Sequence, residues 1–260
     1  MIKIGCCAYS YRDYITTGKM TLEDFIEEAH KIRLDGVELT GYYFTSTEKE
    51  YLHNLKRLCL ERGLSISMAS CGAHLFNPKE ETEKNIEEIK RWLKVAYELG
   101  APCLRIFGGR WPAPNYTKEE AIKIAIETGK ACVRYAEDLG VVIALENHGG
   151  ITRLADDVVK IIEGVNSDWF KLNLDTGNYP DNLYIDMEKS APYTVHVHAK
   201  VESRTEKGPI KLDYAKIRQI FEGVGYNGWI SIEFEVENRD PVEEVPKFAE
   251  YLQRVFSGIS

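Results

Sequence analysis

The sequence predicts an α/β fold, a closed (β/α)8 TIM barrel formed as a single domain over residues 1–260. Three observations carry that prediction. An apolar strand-like run alternates with an amphipathic helical stretch eight times, with no low-complexity linker or composition break. The length of 260 residues is close to the roughly 250 typical of one such barrel. Near the C-terminal ends of the last four runs stand Glu146, Asp175, His198 and Glu233, and the C-terminal end of the strands is where a barrel of this kind builds its site.

The strand runs are Lys3 to Ala8, Gly36 to Thr40, Ser65 to Ser70, Cys103 to Phe107, Val141 to Glu146, Lys171 to Asp175, Thr194 to Lys200 and Trp229 to Glu233. Helical stretches between them repeat apolar residues at three- and four-residue spacing, as with Leu22, Phe25, Ile26, Ala29 and Ile32. Thr117 followed by Glu120 reads as a capping box. Gly63, Gly100 and Gly140 each stand where a helix ends in a left-handed residue before the next strand. Short turns between alternating elements select a parallel sheet with right-handed crossovers, and eight units select closure. An open doubly wound sheet is the competing topology, but no GxGxxG or GxxxxGK[ST] loop follows the first strand.

Side chains alternate across a strand, and in each of the last four runs the acid or imidazole has the opposite parity to the apolar residues. Ile143 and Leu145 oppose Glu146; Leu172 and Leu174 oppose Asp175; Val195 and Val197 oppose His196, His198 and Lys200; Ile230, Ile232 and Phe234 oppose Glu233 and Glu235. The apolar face meets the helices, so the polar face points into the barrel. Two Glu, one Asp and one His give three oxygen donors and one nitrogen. That set fits one divalent metal ion, Mn²⁺ first, with Mg²⁺, Zn²⁺, Co²⁺ and Fe²⁺ also compatible, and disfavours a soft thiolate site. Such an ion polarises a carbonyl and stabilises an enediolate as a Lewis acid. Glu146 and Glu233, beside the same substrate, can then remove and return a proton at the neighbouring carbon.

Further inward-facing polar residues extend the candidate site. Lys200 can bind a substrate oxygen or neutralise the carboxylates, Arg105 can contact the site or pair with Glu38 or Glu146, and His148 and His74 follow strand ends at the mouth. His196 lies one layer below His198 and reads as a hydrogen-bonded supporting residue. Tyr9, Tyr11, Tyr42, Tyr43, Trp111 and Tyr116 can face a sugar ring or cover the core.

Composition excludes several function classes. A net charge of -8 with 44% apolar and 28% charged residues is that of an ordinary soluble protein without a nucleic-acid footprint. The longest apolar runs fall far short of the roughly 20 residues of a membrane span, and MIKIGCCAYSY lacks the features of a signal peptide; a cytoplasmic location is the expectation. Six cysteines without a CxxC pair read as buried reduced thiols.

The motifs ALENH, LDTGN, HVHAK and SIEFE, in that order, resemble the xylose-isomerase-like superfamily of sugar phosphate isomerases and epimerases over essentially the whole chain. The resemblance implies metal ligation by Glu146, Asp175, His198 and Glu233 on strands five to eight. It also implies a small carbohydrate substrate and an isomerase or epimerase activity, and a homo-oligomer is compatible with it. Arg204 stands six residues beyond the metal His, as in the ketose 3-epimerases, which implies a place near metal and substrate. Asn178 stands where those enzymes carry a His; its amide can hydrogen-bond a hydroxyl but does not titrate near neutrality. Lyases using the same enolate, either dehydratases or C-glycoside-cleaving enzymes, are the alternative activity. A DNA-repair phosphodiesterase would need more ligands than six His and an acidic balance provide, and the intact ligand set argues against a non-catalytic sugar-binding protein.

Overall fold

The computed structural model describes residues 2–79, 82–180, 182–205 and 208–257. Its strands are β1 (Lys3–Cys7), β2 (Gly36–Thr40), β3 (Ser65–Phe76), β4 (Cys103–Gly109), β5 (Val142–Glu146), β6 (Phe170–Asp175), β7 (Thr194–Ala199), β8 (Glu202–Thr205), β9 (Gly208–Lys211) and β10 (Trp229–Ile232). All but β8 and β9 close into one barrel in the order β1-β10-β7-β6-β5-β4-β3-β2, with every neighbouring pair parallel. The helices are α1 (Arg12–Thr16), α2 (Leu22–Lys31), α3 (Lys49–Glu61), α4 (Thr82–Leu99), α5 (Lys118–Leu139), α6 (Ala155–Val165), α7 (Leu183–Ser190), α8 (Tyr214–Gly223) and α9 (Pro241–Phe256). No helix among the described residues is long and apolar enough to cross a membrane.

The sequence signals act where expected. Thr117 and Glu120 bond reciprocally at the start of α5 (3.2 and 2.7 Å), and Gly63, Gly100 and Gly140 have φ of 68°, 75° and 68°, which a residue with a Cβ adopts only at a cost. Strand parity separates two apolar regions. The large core lies between strands and helices, where Leu39, Ile106, Leu145, Leu174, Val197 and Ile232 meet helix residues such as Phe25, Leu93, Ile161 and Phe221. A small second cluster of Met68, Cys103 and Ala144, with Val142 and Val195 against it, lies apart from that core. Each of its members shares the inward parity of its strand, and inward residues fill a barrel of this size in layers.

Above that cluster lies a polar layer centred on His196. His196 bonds Asn173 Oδ1 through Nδ1 (3.0 Å), and its Nε2 meets the hydroxyls of Ser67 (3.3 Å) and Ser231 (3.2 Å). Burial pushes this imidazole down to about 3, so it is a neutral bridging group and the expected supporting residue.

Three differences from the sequence reading bear on the site. β3 continues past Ser70 because Cys71, Ala73 and Leu75 keep alternating into the core across Gly72. β10 ends at Ile232, yet the Glu233 amide still donates to the Ala199 carbonyl at 3.0 Å, so the residue keeps a strand-like position. The antiparallel pair β8–β9 was not predicted, because ESRT and GPIK have no apolar alternation to signal it. This hairpin is fastened to the β6 end by the Ser203 hydroxyl, which donates to the Gly177 carbonyl at 2.8 Å.

Gly36 illustrates how closely the barrel interior is packed: a Cβ there would lie 2.3 Å from the Ser65 carbonyl and 2.8 Å from the Trp229 ring. Gly36→Ala is therefore expected to destabilise the fold by about 1–3 kcal/mol. Gly223→Ala, at the end of α8 with nothing within 4 Å of the new methyl, should be stabilising by up to about 1 kcal/mol. Urea midpoints of the two variants should move in opposite directions.

Candidate active site

The barrel brings the four predicted residues to one point. Glu146 and Asp175 end β5 and β6, His198 lies next to last on β7, and Glu233 follows β10. Register pairs Asp175 with His198, and His198 with Ser231. One carboxylate or imidazole atom from each of the four lies within 4.8 Å of the others, and all four residues are buried.

His198 is oriented by Glu38, whose Oε2 lies 2.8 Å from Nε2. That contact turns Nδ1 toward the cluster, 3.3 Å from Glu233 Oε2 and 3.9 Å from both Glu146 Oε2 and Asp175 Oδ2. A carboxylate accepting one imidazole N–H leaves the other nitrogen's lone pair for a cation. Three of these inward atoms, Glu146 Oε2, Asp175 Oδ2 and His198 Nδ1, are buried without a hydrogen-bond partner. Leaving each without a hydrogen bond costs about 1–3 kcal/mol, offset in part by the charges of Arg105 beside Glu146 and Lys200 beside Asp175.

Charge points the same way. Among the described residues the fully buried charged groups are four carboxylates (Glu38, Glu146, Asp175, Glu233) and two cations (Arg105, Lys200). A divalent cation taking Nδ1 would displace the proton that His198 holds in the metal-free cluster, and four carboxylates against two cations would then leave two negative charges for it to balance. Burial raises Asp175 to about 7, with Lys200 opposing and Glu233 and Glu146 reinforcing the shift. Glu146 is raised by burial against the pull of Arg105, whereas for Glu233 the burial penalty is outweighed by His198 and Lys200, which hold it well below the ordinary range. His198 is likewise raised, burial being overcome by Glu233 and Glu38. Cys7 donates to Glu38 Oε1 at 3.2 Å, and burial pushes its thiol well up, so it acts as a neutral donor beside the cluster, as the buried-thiol expectation required.

The surrounding residues fall into distinct places. Arg105 pairs with Glu146 rather than Glu38: its Nε is 3.0 Å from Oε2 without hydrogen-bond alignment, while Nη1 donates to the Cys71 carbonyl at 2.8 Å. Lys200 reaches Glu233 at 2.5 Å and Asp175 at 3.4 Å, and also pairs with Glu235. Glu235 therefore sits outside the four-residue cluster. Asn178 donates to Glu146 Oε1 at 3.4 Å. Lys200, Asn178, His148, Arg204 and Glu235 line a cavity of about 280 Å³ over the cluster. Arg204 reaches the rim alone: exposed on β8, it bonds the Glu235 carbonyl at 3.2 Å and pairs with Glu237 at 3.3 Å. His74 is also away from the cluster, stacked on Phe107 with ring centroids 5.3 Å apart. Tyr11 belongs to the core, whereas Tyr42 and Trp111 line the mouth.

Two contributors were not assigned these roles from the sequence. From the sequence Glu38 was read as a possible partner of Arg105, although its inward parity between Val37 and Leu39 could have placed it behind His198. Asn147 clamps the β5 and β6 ends, accepting from the Asp175 amide at 2.7 Å and donating to its carbonyl at 3.0 Å; its outward parity hid it.

The sequence model of the xylose isomerase-like TIM barrel family matches residues 26–255. The chain belongs to this family. An inosose dehydratase from Geobacillus thermodenitrificans is 24% identical over 91% of this chain and 90% of its own length. Among solved structures, a D-psicose 3-epimerase determined in the presence of D-fructose superposes with a TM-score of 0.78 at 16% identity, covering 97% of this chain and 98% of that one. A xylose isomerase-like TIM barrel protein from Mycobacterium smegmatis in complex with magnesium superposes with a TM-score of 0.73 at 18% identity, over 98% and 95% of the two chains.

For this xylose isomerase-like barrel, Asp175→Ala or His198→Ala is expected to abolish the binding of about one divalent ion per chain with the fold retained, read by elemental analysis and circular dichroism. Stoichiometric metal in either variant would remove that residue from the ligand set. Glu38→Ala should weaken metal affinity about 10- to 100-fold. Asp175, raised in the metal-free protein, favours the fold below its unfolded pKa, and that contribution is lost as pH rises through the folded value of about 7. A metal ion takes the ionised form, so the gain in melting temperature on adding Mn²⁺ should grow between about pH 5 and about pH 8.

Proposed function

We propose that this chain works as one barrel domain and is a divalent-metal-dependent isomerase or epimerase of a small keto or aldo sugar. The observation that carries the reading is the convergence of three buried atoms that make no hydrogen bond, Glu146 Oε2, Asp175 Oδ2 and His198 Nδ1, on a point bordered by Glu233. Glu146, Asp175, His198 and Glu233 would hold the ion, which when bound supplies Lewis acidity to a carbonyl and its neighbouring hydroxyl.

The protein's own groups then divide the work. Glu146 and Glu233 come from β5 and from the end of β10, so the two carboxylates meet the substrate from different strands. One can take a proton from the carbon beside the carbonyl and the other can return one, which permits inversion or transfer to the adjacent carbon. Arg105 behind Glu146 and Lys200 beside Glu233 fix the two carboxylates and hold compensating charge near the anion that forms. Asn178, His148 and Arg204 line the cavity above and supply hydrogen bonds to hydroxyls. The hydroxyl recognition at Asn178 involves no proton transfer, since an amide does not titrate.

A second reading, a lyase that expels a leaving group from the same enolate, is favoured by the similarity to an inosose dehydratase. Incubation with a panel of keto sugars in deuterium oxide separates the two. An isomerase or epimerase incorporates deuterium at the exchanged carbon and otherwise preserves substrate mass, whereas loss of water or of an aglycone would move the assignment to the lyase.

Replacement of Glu146 or Glu233 by Gln keeps one oxygen donor and removes the base. Turnover is expected to fall about 10²- to 10⁴-fold with metal binding only partly weakened. Near-normal proton exchange in a metal-loaded variant would mean that the replaced residue is not a base.

A further inference from the structure

The barrel mouth holds a second and larger cavity beside the first. It has a volume of about 580 Å³, against about 280 Å³ over the cluster, and the two share His148. Glu146 lies between them: Asn178, on the wall of the smaller cavity, bonds one of its oxygens. On the other side Arg105 pairs with Glu146, stacks over Phe107 at 4.1 Å and donates to the Tyr42 hydroxyl at 3.4 Å, and both Phe107 and Tyr42 line the larger cavity.

The larger cavity is aromatic where the smaller one is charged. Tyr42, Phe107 and Trp111 line it, with His74, His148 and Arg110 supplying its polar groups. Phe107 is held between His74 (5.3 Å) and His148 (4.6 Å) by ring contacts, so that part of the wall is already packed in place. Parts of the wall are bare backbone for a steric reason. A Cβ on Gly108 would lie 2.3 Å from the Thr152 methyl, and one on Gly150 would lie 1.9 Å from the Gly109 carbonyl. His74 Nδ1 is buried there without a partner, and the ring is neutral, held down to about 4 by burial and by the charges of Arg110 and Arg105. A neutral imidazole and an exposed guanidinium beside aromatic faces suit a hydroxylated ring, with C–H faces on the aromatics and hydroxyls on the polar groups.

We propose that this aromatic cavity is a binding site for a second ring carried by the substrate, so that the preferred substrates are glycosides of a keto sugar, with the carbonyl-bearing ring over the carboxylate cluster and the attached ring against Trp111, Tyr42 and Phe107. This inference rests on the sugar-active reading of the cluster. The attached ring is that of a second sugar or of an aromatic aglycone; both present flat apolar faces, and the test separates them.

Binding of methyl β-D-glucopyranoside, cellobiose and phenyl β-D-glucopyranoside to the metal-loaded full chain is measured by calorimetry, without turnover. At least one of the two-ring ligands should bind about tenfold more tightly than the methyl glycoside: cellobiose if the second ring is a sugar, the phenyl glycoside if it is aromatic. Trp111→Ala should remove that preference and leave the methyl glycoside unaffected. Arg110→Ala, at an exposed position that the fold does not depend on, should reduce it for cellobiose more than for the phenyl glycoside. If Trp111→Ala does not fold, Trp111→Phe is measured in its place and should keep only part of the preference. Equal affinity for one- and two-ring ligands, binding by none of them, or a preference untouched by both the Trp111 and the Arg110 substitutions overturns the proposal. Deuterium exchange is read separately on the panel of keto sugars, since the methyl and phenyl glycosides carry no carbonyl and serve only as binding probes: a two-ring preference without exchange on any keto sugar overturns the isomerase reading alone.

Discussion

The excess of negative charge buried at the barrel mouth is the constraint on which the surrounding structure depends. Four carboxylates with two cations cannot be desolvated together unless each is tied to a partner, and the ties are visible: Glu38 to His198, Glu146 to Arg105, Glu233 to Lys200, and Asp175 to the Gly177 amide at 2.8 Å. The ties of His198 and Asp175 use one atom and leave another, Nδ1 and Oδ2, facing the common centre, whereas Arg105 and Lys200 meet the inward oxygens of Glu146 and Glu233 themselves. Had all the oxygens been satisfied by protein donors, the cluster would be a buried ion-pair network with no capacity to receive a cation or a sugar oxygen.

The tier beneath makes that arrangement rigid. His196, Asn173, Ser67 and Ser231 form a neutral, bonded floor, and Asn147 locks the ends of β5 and β6 together. Four side chains from the ends of four different strands can keep one geometry only if the strands cannot slide, and parallel register together with this floor supplies that stiffness. Catalytic geometry placed on strand ends in this way is held more firmly than geometry placed on loops.

Much of this was legible in the sequence because it rests on parity. A strand buried on one face by helices must alternate, so an acid among valines and leucines reports its own direction; Glu146, Asp175, His198 and Glu233 were all found this way. Parity does not report which strands are neighbours across the barrel, and Glu38 reaches His198 across β1 and β10, a relation set only by closure. It misleads for Asn147, which bonds backbone rather than facing inward. The resemblance implied a place for Arg204 near metal and substrate; it stands on a polar hairpin and lines the cavity over the cluster from its rim. His74 is separated from the cluster because β3 runs on past the expected end and carries it to the neighbouring aromatic cavity.

The β8–β9 hairpin has a consequence for how this protein can change over evolutionary time. It takes no part in barrel closure, and one of its ties to the rest is the single hydroxyl of Ser203 on the Gly177 carbonyl. Yet Glu202 and Arg204 form part of the wall above the reacting centre. Insertions, deletions and substitutions there can therefore accumulate at little cost to the stability of the scaffold, and the shape of the cavity can change while the strands that carry the cluster stay under separate constraint.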